Sequence, residues 1–386
     1  MRDFSRLDAY LDRRDLDGYL VDADGADPTQ RYLSEFDAPD PFRTLYRPAG
    51  RSLLVRGLEY ARAEAESGAD AVRRPTDYGA RPEVDGEALH DVIASFLAEF
   101  EVDAVAVPER FPVATADALR ARGVTVEPDD EDVVGALRAR KADDEIEEIR
   151  AAQRANEAAM GAAETLLAAA DVEDDRLVHE GEPLTAERVK VAIERELLDQ
   201  GYALDETIVA GGEQGADPHE RGHGPLPAGE PIVIDVFPRS KATRYHADMT
   251  RTVVRGEASA AVRERFEVTR RALEAGLDTV EPGVDAEAVH DAVCDVYEAA
   301  GYPTLRSDPS AETGFIHSTG HGVGLAVHEA PRIGPDSEVL EPGNVVTIEP
   351  GLYHPDHGGM RLEDLVVVTD DGHENLTDHP YTLQLD

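Results

Sequence analysis

The segments LPAGEPIVID (residues 226–235) and LEPGNVVTIE (residues 340–349) echo each other at an offset of 114 residues. Leucine, glycine, a β-branched residue, isoleucine and a final carboxylate recur at matching positions. Both segments end in an apolar run typical of a buried strand, so the carboxylates of Asp235 and Glu349 sit inside predicted strands. The echo therefore predicts two related halves with equivalent acidic positions.

Each copy of the echo leads into a second carboxylate. Asp248 lies 13 residues after Asp235, and Glu363 lies 14 residues after Glu349. A β-rich run, TRTVV or DLVVV, follows each second carboxylate. One buried carboxylate is compatible with a structural role, but four carboxylates brought together repel strongly unless a cation lies between them. The pattern predicts a metal site.

A nitrogen ligand is available in IHSTGHGVGLAVHE, residues 316–329, where glycines around His321 allow close approach of the backbone. One histidine and four carboxylates suit two divalent ions such as Mn(II), Co(II), Zn(II) or Fe(II). Two ions about 3.5–4 Å apart can share a hydroxide and clamp a carbonyl under attack. The chemistry indicated is metal-assisted hydrolysis.

Five motifs occur in a fixed order: IVIDVF, ADMTRT, STGHGVGLAVHE, VTIEPGLY and GMRLEDLVVVT. This ordered set resembles the pita-bread metallopeptidases, which include methionine aminopeptidase, Xaa-Pro aminopeptidase and Xaa-Pro dipeptidase. The resemblance covers residues 139–386. It implies an α+β protein, in which a C-terminal pita-bread (creatinase/aminopeptidase) fold with a pseudo-twofold repeat follows a smaller α/β N-terminal domain of residues 1–138.

The resemblance also implies the ligand set. Asp235 is expected to bind one metal ion and His321 the other, joined by Glu349, while Asp248 and Glu363 bridge the pair. Glu349 is the expected proton shuttle. Mn(II) is the metal expected first, with Co(II), Zn(II) or Fe(II) as alternatives.

Further residues carry over by resemblance. His328 matches the histidine that stabilises the tetrahedral intermediate, and His219 matches one that contacts substrate near the scissile bond, although His223 is close enough to be confused with it. Arg361 matches the arginine that hydrogen-bonds to the metal-ligand shell in proline-specific members. His317 is a further candidate for substrate binding.

Two segments depart from the family pattern. The stretch VFPRSKATRYHA between Asp235 and Asp248 is slightly longer than usual, and Phe-Pro-Arg replaces the usual glycine after the aspartate. Tyr245 within it is another candidate site residue. The acidic insert at 172–183 has no assignable role and is predicted to be a solvated loop.

The N-terminal part has a strand–helix–strand rhythm, and a long helix capped by Asp144, with Glu147 completing a capping box, is predicted to open the C-terminal domain. A separate N-terminal domain is typical of the Xaa-Pro and creatinase branch. TQRYLSEF at 29–36 resembles that branch, with Glu35 where glycine is usual. The predicted elements are a strand at 103–107, a helix at 114–122, a strand at 124–126, and helices at 185–200, 258–277 and 285–300.

The composition excludes several classes of protein. The chain has 81 acidic and 38 basic residues, a net charge of −43, and the acids are spread along its length. Such a surface repels nucleic acid and indicates adaptation to a salty cytoplasm. The charged start of the chain is unlike a signal peptide, and no long apolar run predicts a membrane span. Cys294 is the only cysteine, which excludes an internal disulfide and a thiolate metal cluster.

The sequence therefore predicts a cytoplasmic metallopeptidase that cleaves the Xaa-Pro bond of small peptides, and the family implies a homodimer. Three alternatives stay open: a creatinase-like amidinohydrolase, a methionine aminopeptidase, and a non-catalytic pita-bread module that binds peptides. Retention of all five ligand types argues against the first and third alternatives. The N-terminal domain argues against the second.

The charge generates a prediction about salt. Repulsion between surface carboxylates opposes the compact state, and at 1 M salt it is screened within about 3 Å. We expect melting temperature and peptidase activity to rise as KCl increases into the molar range, measured by calorimetry and by a peptide-hydrolysis assay. A protein equally stable at low and at molar KCl would contradict this interpretation of its composition.

Overall fold

The structure is a computed structural model that describes residues 2–386, and the chain divides into two units between Arg138 and Ala139. The first unit contains a six-stranded mixed sheet in the order β4-β3-β2-β1-β5-β6. Its strands are β1 Gly18–Ala23, β2 Phe42–Arg47, β3 Gly50–Leu54, β4 Ala71–Arg73, β5 Ala104–Val107 and β6 Thr125–Pro128. Its helices are α1 Ser5–Arg14, α2 Pro28–Ser34, α3 Tyr60–Glu66, α4 Gly86–Glu99, α5 Val113–Ala121 and α6 Val133–Ala139.

The second unit contains four helices and sixteen strands among the described residues. The helices are α7 Asp143–Ala168, α8 Ala186–Asp199, α9 Ala260–Thr279 and α10 Ala286–Ala299. The strands up to residue 255 are β7 Asp171–Glu173, β8 Arg176–His179, β9 Glu182–Pro183, β10 Tyr202–Ala203, β11 Thr207–Gly211, β12 Ile232–Val236, β13 Arg239–Ser240 and β14 Met249–Arg255. The later strands are β15 Gly320–Gly322, β16 Glu329–Ile333, β17 Val345–Ile348, β18 Gly351–His354, β19 Gly358–Arg361, β20 Asp364–Val368, β21 His373–Asn375 and β22 Gln384–Leu385.

The two echoed segments occupy equivalent places in two sheets. The first forms β12, which pairs antiparallel with β14 in the sheet β11-β12-β14-β22. The second forms β17, which pairs antiparallel with β20 in the sheet β16-β15-β17-β20-β21. Helices α7 and α8 share a buried apolar core with the first sheet, and α9 and α10 share one with the second. The repeat therefore consists of two similar layers of helices on a sheet, as the pseudo-twofold prediction required.

Arg251 in β14 joins the two halves. Only 1% of this residue is exposed, and its guanidinium donates to the backbone oxygen of Glu363 at 2.6 Å and pairs with Asp364 at 3.0 Å. It also donates to the backbone oxygen of His379 at 2.7 Å, and it lies 4.8 Å from the centre of the Tyr381 ring. A planar group with five donors can satisfy such diverging acceptors.

Two local predictions are wrong. Helix α7 is not capped by Asp144, because a β-bridge between Arg140 and Asn344 holds the preceding chain extended and the helix begins at Asp143. Glu145 instead accepts the Ala142 N–H at 2.9 Å. The predicted loop at 172–183 is a three-stranded antiparallel sheet, β7-β8-β9, anchored by the buried side chain of Leu177.

No helix within residues 2–386 is both long and apolar enough to cross a membrane.

The position of Arg251 gives a stability prediction. Arg251→Met removes the guanidinium that these buried acceptors share. Breaking a buried ion pair by removing one partner lowers the free energy of unfolding by about 3–5 kcal/mol. The control Arg270→Met removes an arginine that pairs with Glu267 and Glu274 on the exposed face of α9, and should cost less than about 1 kcal/mol. Urea unfolding in molar KCl measures both losses, and equal losses would contradict the assigned role of Arg251.

Candidate metal centre

The four carboxylates lie at the strand ends of the two halves. Asp235 is the fourth residue of β12, and Asp248 immediately precedes β14. Glu349 immediately follows β17, and Glu363 immediately precedes β20. The halves are connected at this level, because Thr250 in β14 donates its hydroxyl proton to Glu363 Oε2 at 2.8 Å and accepts the Glu363 N–H on its backbone oxygen at 3.1 Å.

His321 is brought to the same place by the short strand β15. A bulge between His321 and Gly322 interrupts its pairing with β16, which re-aims the side chains there. Gly320 permits the close approach of β15 to β17, since a Cβ at this position would lie 1.9 Å from the Thr347 carbonyl oxygen. The Thr347 hydroxyl accepts the His321 N–H at 3.1 Å.

Three of the five predicted ligands form one cluster. One oxygen of Asp248, one oxygen of Glu363 and one ring nitrogen of His321 all lie within 4.8 Å of one another. Glu349 joins them, with its Oε1 3.5 Å from His321 Nε2. All five predicted ligands line a single cavity of about 900 Å³.

Asp235 lies on the same cavity and is held by Arg361, whose Nη2 is 2.7 Å from its Oδ2. Its other oxygen, Oδ1, is buried and has no hydrogen-bond partner among the described residues. A buried carboxylate oxygen without a donor is costly unless a cation satisfies it. The donor set therefore fits a metal ion at Asp235.

The electrostatics point the same way. Burial, and then repulsion from Glu363, raises the pKa of Asp248 well above its ordinary value. Burial and repulsion from Glu349 raise the pKa of Glu363 in the same way, and burial raises the pKa of Glu349 to about 8. Burial lowers the pKa of His321 to about 3, which keeps its ring neutral and able to act as a ligand. The protein alone does not compensate the charge of this cluster.

Arg361 links the carboxylates to a chain of polar groups. Burial lowers its pKa, but Tyr353 and Asp235 raise it further, so the guanidinium is charged. It donates from Nε to the Thr250 hydroxyl at 3.1 Å and from Nη1 to the Tyr353 hydroxyl at 3.0 Å. Tyr353 in turn lies 3.0 Å from His317 Nε2.

This chain fixes the state of His317. Its Nδ1 lies 2.7 Å from the carbonyl oxygen of Ser318, an acceptor only, so Nδ1 carries the proton and Nε2 accepts from Tyr353. Burial, and then the charge of Arg361, lowers the pKa of His317 to about 3, so the ring stays neutral. Both ring nitrogens are used within the protein, and His317 therefore offers the cavity its ring and no free N–H group.

The other predicted histidines separate into two groups. His219 and His328 line the cavity, and the His328 ring stands edge-on to that of His321 with centroids 4.2 Å apart. Burial lowers the pKa of His328. His223 does not line the cavity and contacts Gln214 instead, which resolves the confusion with His219. Tyr245 is buried but also lies off the cavity lining, and it donates to Glu145.

Sequence reasoning missed Tyr353 and Arg332. Tyr353 is the last residue of the VTIEPGLY motif, but nothing in the sequence indicates that it contacts Arg361 and His317. Arg332 lines the cavity and donates to the Ser318 hydroxyl at 2.8 Å, and among residues 2–386 it has no carboxylate partner. The sequence indicates its role only by its position four residues after His328.

Comparison with protein families identifies the chain. The model of metallopeptidase family M24 matches residues 147–370, more than half of the chain. The chain belongs to metallopeptidase family M24. The model of the creatinase/prolidase N-terminal domain matches residues 4–151 of the same M24 metallopeptidase. Members of this family use divalent metal ions.

Relatives and solved structures agree with this assignment. The probable dipeptidase PepE of Mycobacterium tuberculosis is 32% identical over 342 residues, which cover 86% of this chain and 82% of that protein. The prolidase from Pyrococcus furiosus matches with a TM-score of 0.77 and 26% identity, over 96% and 99% of the two chains. An X-Pro aminopeptidase from Thermotoga maritima matches with a TM-score of 0.80 and 26% identity, over 97% and 99%. The predicted family, enzyme class and pita-bread fold are confirmed.

The uncompensated cluster generates a prediction about the metal-free enzyme. Asp248→Asn removes one repelling charge, so the metal-free variant should melt a few degrees above metal-free wild type, since about 1 kcal/mol corresponds to about 2–4 °C in a domain of this size. The same variant should lose the further rise in melting temperature that added Mn(II) gives the wild type. Calorimetry after chelation and again with Mn(II) measures both effects.

The control is Asp278→Asn at an exposed position on α9, which should change neither quantity. A metal-free Asp248→Asn protein that is less stable than wild type would show that the cluster is not under repulsive strain. An undiminished response to Mn(II) would remove Asp248 from the ligand set.

Proposed function

We propose that this M24 metallopeptidase hydrolyses the bond between an amino acid and proline, in dipeptides or at the N-terminus of short peptides. The observation that carries the proposal is the single cavity in which Asp248, His321 and Glu363 form a ligand cluster beside the Arg361–Asp235 pair. The relatives named dipeptidase, prolidase and X-Pro aminopeptidase support the substrate class.

The ligands we propose for two divalent ions are five residues of the cavity wall. Mn(II) is the proposed metal, and Co(II), Zn(II) and Fe(II) are the alternatives, because oxygen-rich sites with one imidazole accept all four. When bound, such ions acidify a water molecule and polarise the carbonyl that it attacks. The proposed ligands are Asp235, Asp248, His321, Glu349 and Glu363.

Glu349 is the proposed proton carrier. Its carboxylate lies beside His321, and burial raises its pKa to about 8, which makes it a stronger proton acceptor than an ordinary carboxylate. In the reaction the water oxygen attacks the scissile carbonyl carbon, and Glu349 takes the released proton. It then returns the proton to the proline nitrogen as the C–N bond breaks, because the leaving amine needs that proton.

His328 is the proposed donor to the carbonyl oxygen. Because burial lowers its pKa, the ring is neutral and carries one N–H group, and the residue lies on the cavity wall. Negative charge develops on the carbonyl oxygen during attack, and a positioned donor stabilises it. His219, on the same cavity wall, is the proposed second polar contact with substrate.

Proline at the leaving side makes the scissile bond a tertiary amide with no N–H group. A site for it needs a wall for the pyrrolidine ring and no acceptor aimed at the nitrogen. The ring of His317, whose nitrogens are both occupied, suits that wall together with Ile316 and Val327. Arg332, which has no carboxylate partner in the described part of the chain, is the proposed contact for the free carboxylate of a dipeptide.

The test is a panel of peptides in molar KCl with Mn(II), Co(II) or Zn(II). We expect cleavage of Xaa-Pro dipeptides, and at least about tenfold slower cleavage of matched Xaa-Ala dipeptides, the discrimination that about 1.4 kcal/mol gives. Release of free amino acids, followed by chromatography, measures both rates.

Three further outcomes discriminate among the alternatives. Equal cleavage of Xaa-Ala would remove proline specificity, and cleavage confined to Met-Xaa peptides would indicate a methionine aminopeptidase. Metal binding without hydrolysis of any peptide would indicate a binding module. Comparison of each Xaa-Pro dipeptide with its C-terminal amide separates a dipeptidase, which needs the free carboxylate, from an aminopeptidase.

A further inference from the structure

A buried ion pair includes the chain neighbour of the proposed catalytic histidine. Lys141 Nζ is 2.8 Å from Glu329 Oε1, and only 1% of the lysine side chain and 6% of the glutamate side chain are exposed. Glu329 immediately follows His328 in the chain. The second oxygen of Glu329 accepts the Ala326 N–H at 3.3 Å, so the pair also ties down the segment that precedes His328.

Lysine at this position is unusual for this chain. Of its 38 basic residues only three are lysines, and all the others are arginines. The space around the pair is narrow, because a Cβ at Gly324 would lie 3.0 Å from Lys141 Cε and 2.2 Å from Glu329 Oε1. A compact ammonium fits such a space, whereas a planar guanidinium is larger and has five N–H groups to satisfy.

Glu145, four residues after Lys141, holds a second segment of the site. Glu145 is buried, accepts the Ala142 N–H on Oε2, and accepts the Tyr245 hydroxyl on Oε1. Tyr245 lies three residues before the ligand Asp248. Residues 141–145, at the start of α7, therefore contact both the segment that carries His328 and the segment that leads to Asp248.

These two segments also contact each other. We call residues 237–248 the aspartate loop and residues 323–329 the histidine loop. The His246 N–H of the aspartate loop donates to the Gly324 carbonyl oxygen of the histidine loop at 2.8 Å. The start of α7 and the two loops thus form a closed set of contacts, in which each part is bonded to the other two.

We propose that Lys141 and Glu145 are positioning residues for the reaction, which hold the histidine loop and the aspartate loop in the register that the metal centre needs. The expected fall in kcat rests on the proposed function. The expected effect on the position of the two loops does not. Neither residue lines the cavity, so each acts through a neighbour, Lys141 through Glu329 and Glu145 through Tyr245.

The register matters because the reacting groups are close together. The His328 and His321 rings are 4.2 Å apart, and His321 Nε2 lies 3.7 Å from Asp248 Oδ2. A shift of about 1 Å in a catalytic group costs about 10²-fold in rate. The loss of Lys141 removes a cation that lies 2.8 Å from the buried Glu329 carboxylate, and the histidine loop shifts as that carboxylate gains contact with water.

The first test compares Lys141→Met with wild type in KCl and Mn(II). We expect kcat to fall about 10- to 100-fold with KM changed less than about threefold, because the chemistry loses alignment while the substrate contacts stay. Metal content after dialysis should stay at the wild-type value. The matched control is Arg43→Met, which breaks the buried Arg43–Asp22 pair at 2.9 Å in the first unit and should leave kcat unchanged.

Gly324→Ala is the second variant, needed if Lys141→Met does not fold. It keeps both charges and pushes the Glu329 carboxylate away from Lys141, and we expect the same fall in kcat. The double variant Lys141→Met/Glu329→Gln removes both charges. It should recover the melting temperature and keep the low kcat, because it restores charge balance but not the position of the loop.

A readout without activity separates this proposal from the proposed function. Hydrogen–deuterium exchange of the metal-free proteins should be faster in both loops of Lys141→Met than in wild type, and unchanged there in Arg43→Met. That result stands even if wild type cleaves no Xaa-Pro peptide, which would overturn the proposed function alone. Unchanged exchange in both loops, or a double variant that recovers full kcat, would show that the pair serves stability only and would overturn the positioning role.

Discussion

Four carboxylates share one cavity, and the cost of keeping them there constrains the rest of the second unit. Like charges at this distance in a low dielectric repel strongly, and burial adds to the penalty. The fold compensates part of it with Arg361, which pairs with Asp235. Divalent ions, which members of this family use, would offset the remainder.

The same constraint determines the state of the neighbouring groups. Burial, and then the charge of Arg361, lowers the pKa of His317, and the Arg361 guanidinium donates to the hydroxyl of Tyr353. Arg361 donates to the Tyr353 hydroxyl, which donates to His317. The His317 ring donates in turn to the Ser318 carbonyl, so each hydrogen has one acceptor. One charge therefore sets the proton positions of a chain of groups along the cavity wall, without a further ionised residue in that chain.

The repeat and the family were predictable from the sequence because they depend on local patterns, whereas the ligand roles stay predictions. Apolar runs that end in carboxylates single out Asp235 and Glu349, and similar spacings of 13 and 14 residues single out Asp248 and Glu363. Features that depend on contacts between residues far apart in the sequence were not predictable. The start of α7 is set by the bridge between Arg140 and Asn344, about 200 residues apart in sequence. Arg332 stands out only because no carboxylate within residues 2–386 pairs with it, which no sequence pattern reports. The cytoplasmic location, the homodimer and the salt adaptation stay predictions.

The contacts between the two halves of the second unit are reciprocal. Arg251, three residues after Asp248, reaches the carbonyl of Glu363, and Arg361, two residues before Glu363, reaches the carboxylate of Asp235. Each half thus supplies two acids and one arginine that serves the other half. Neither half holds a complete set alone, so the active centre has the character of a subunit interface. Joining both halves in one chain keeps their ratio at one to one and makes assembly of the centre independent of protein concentration.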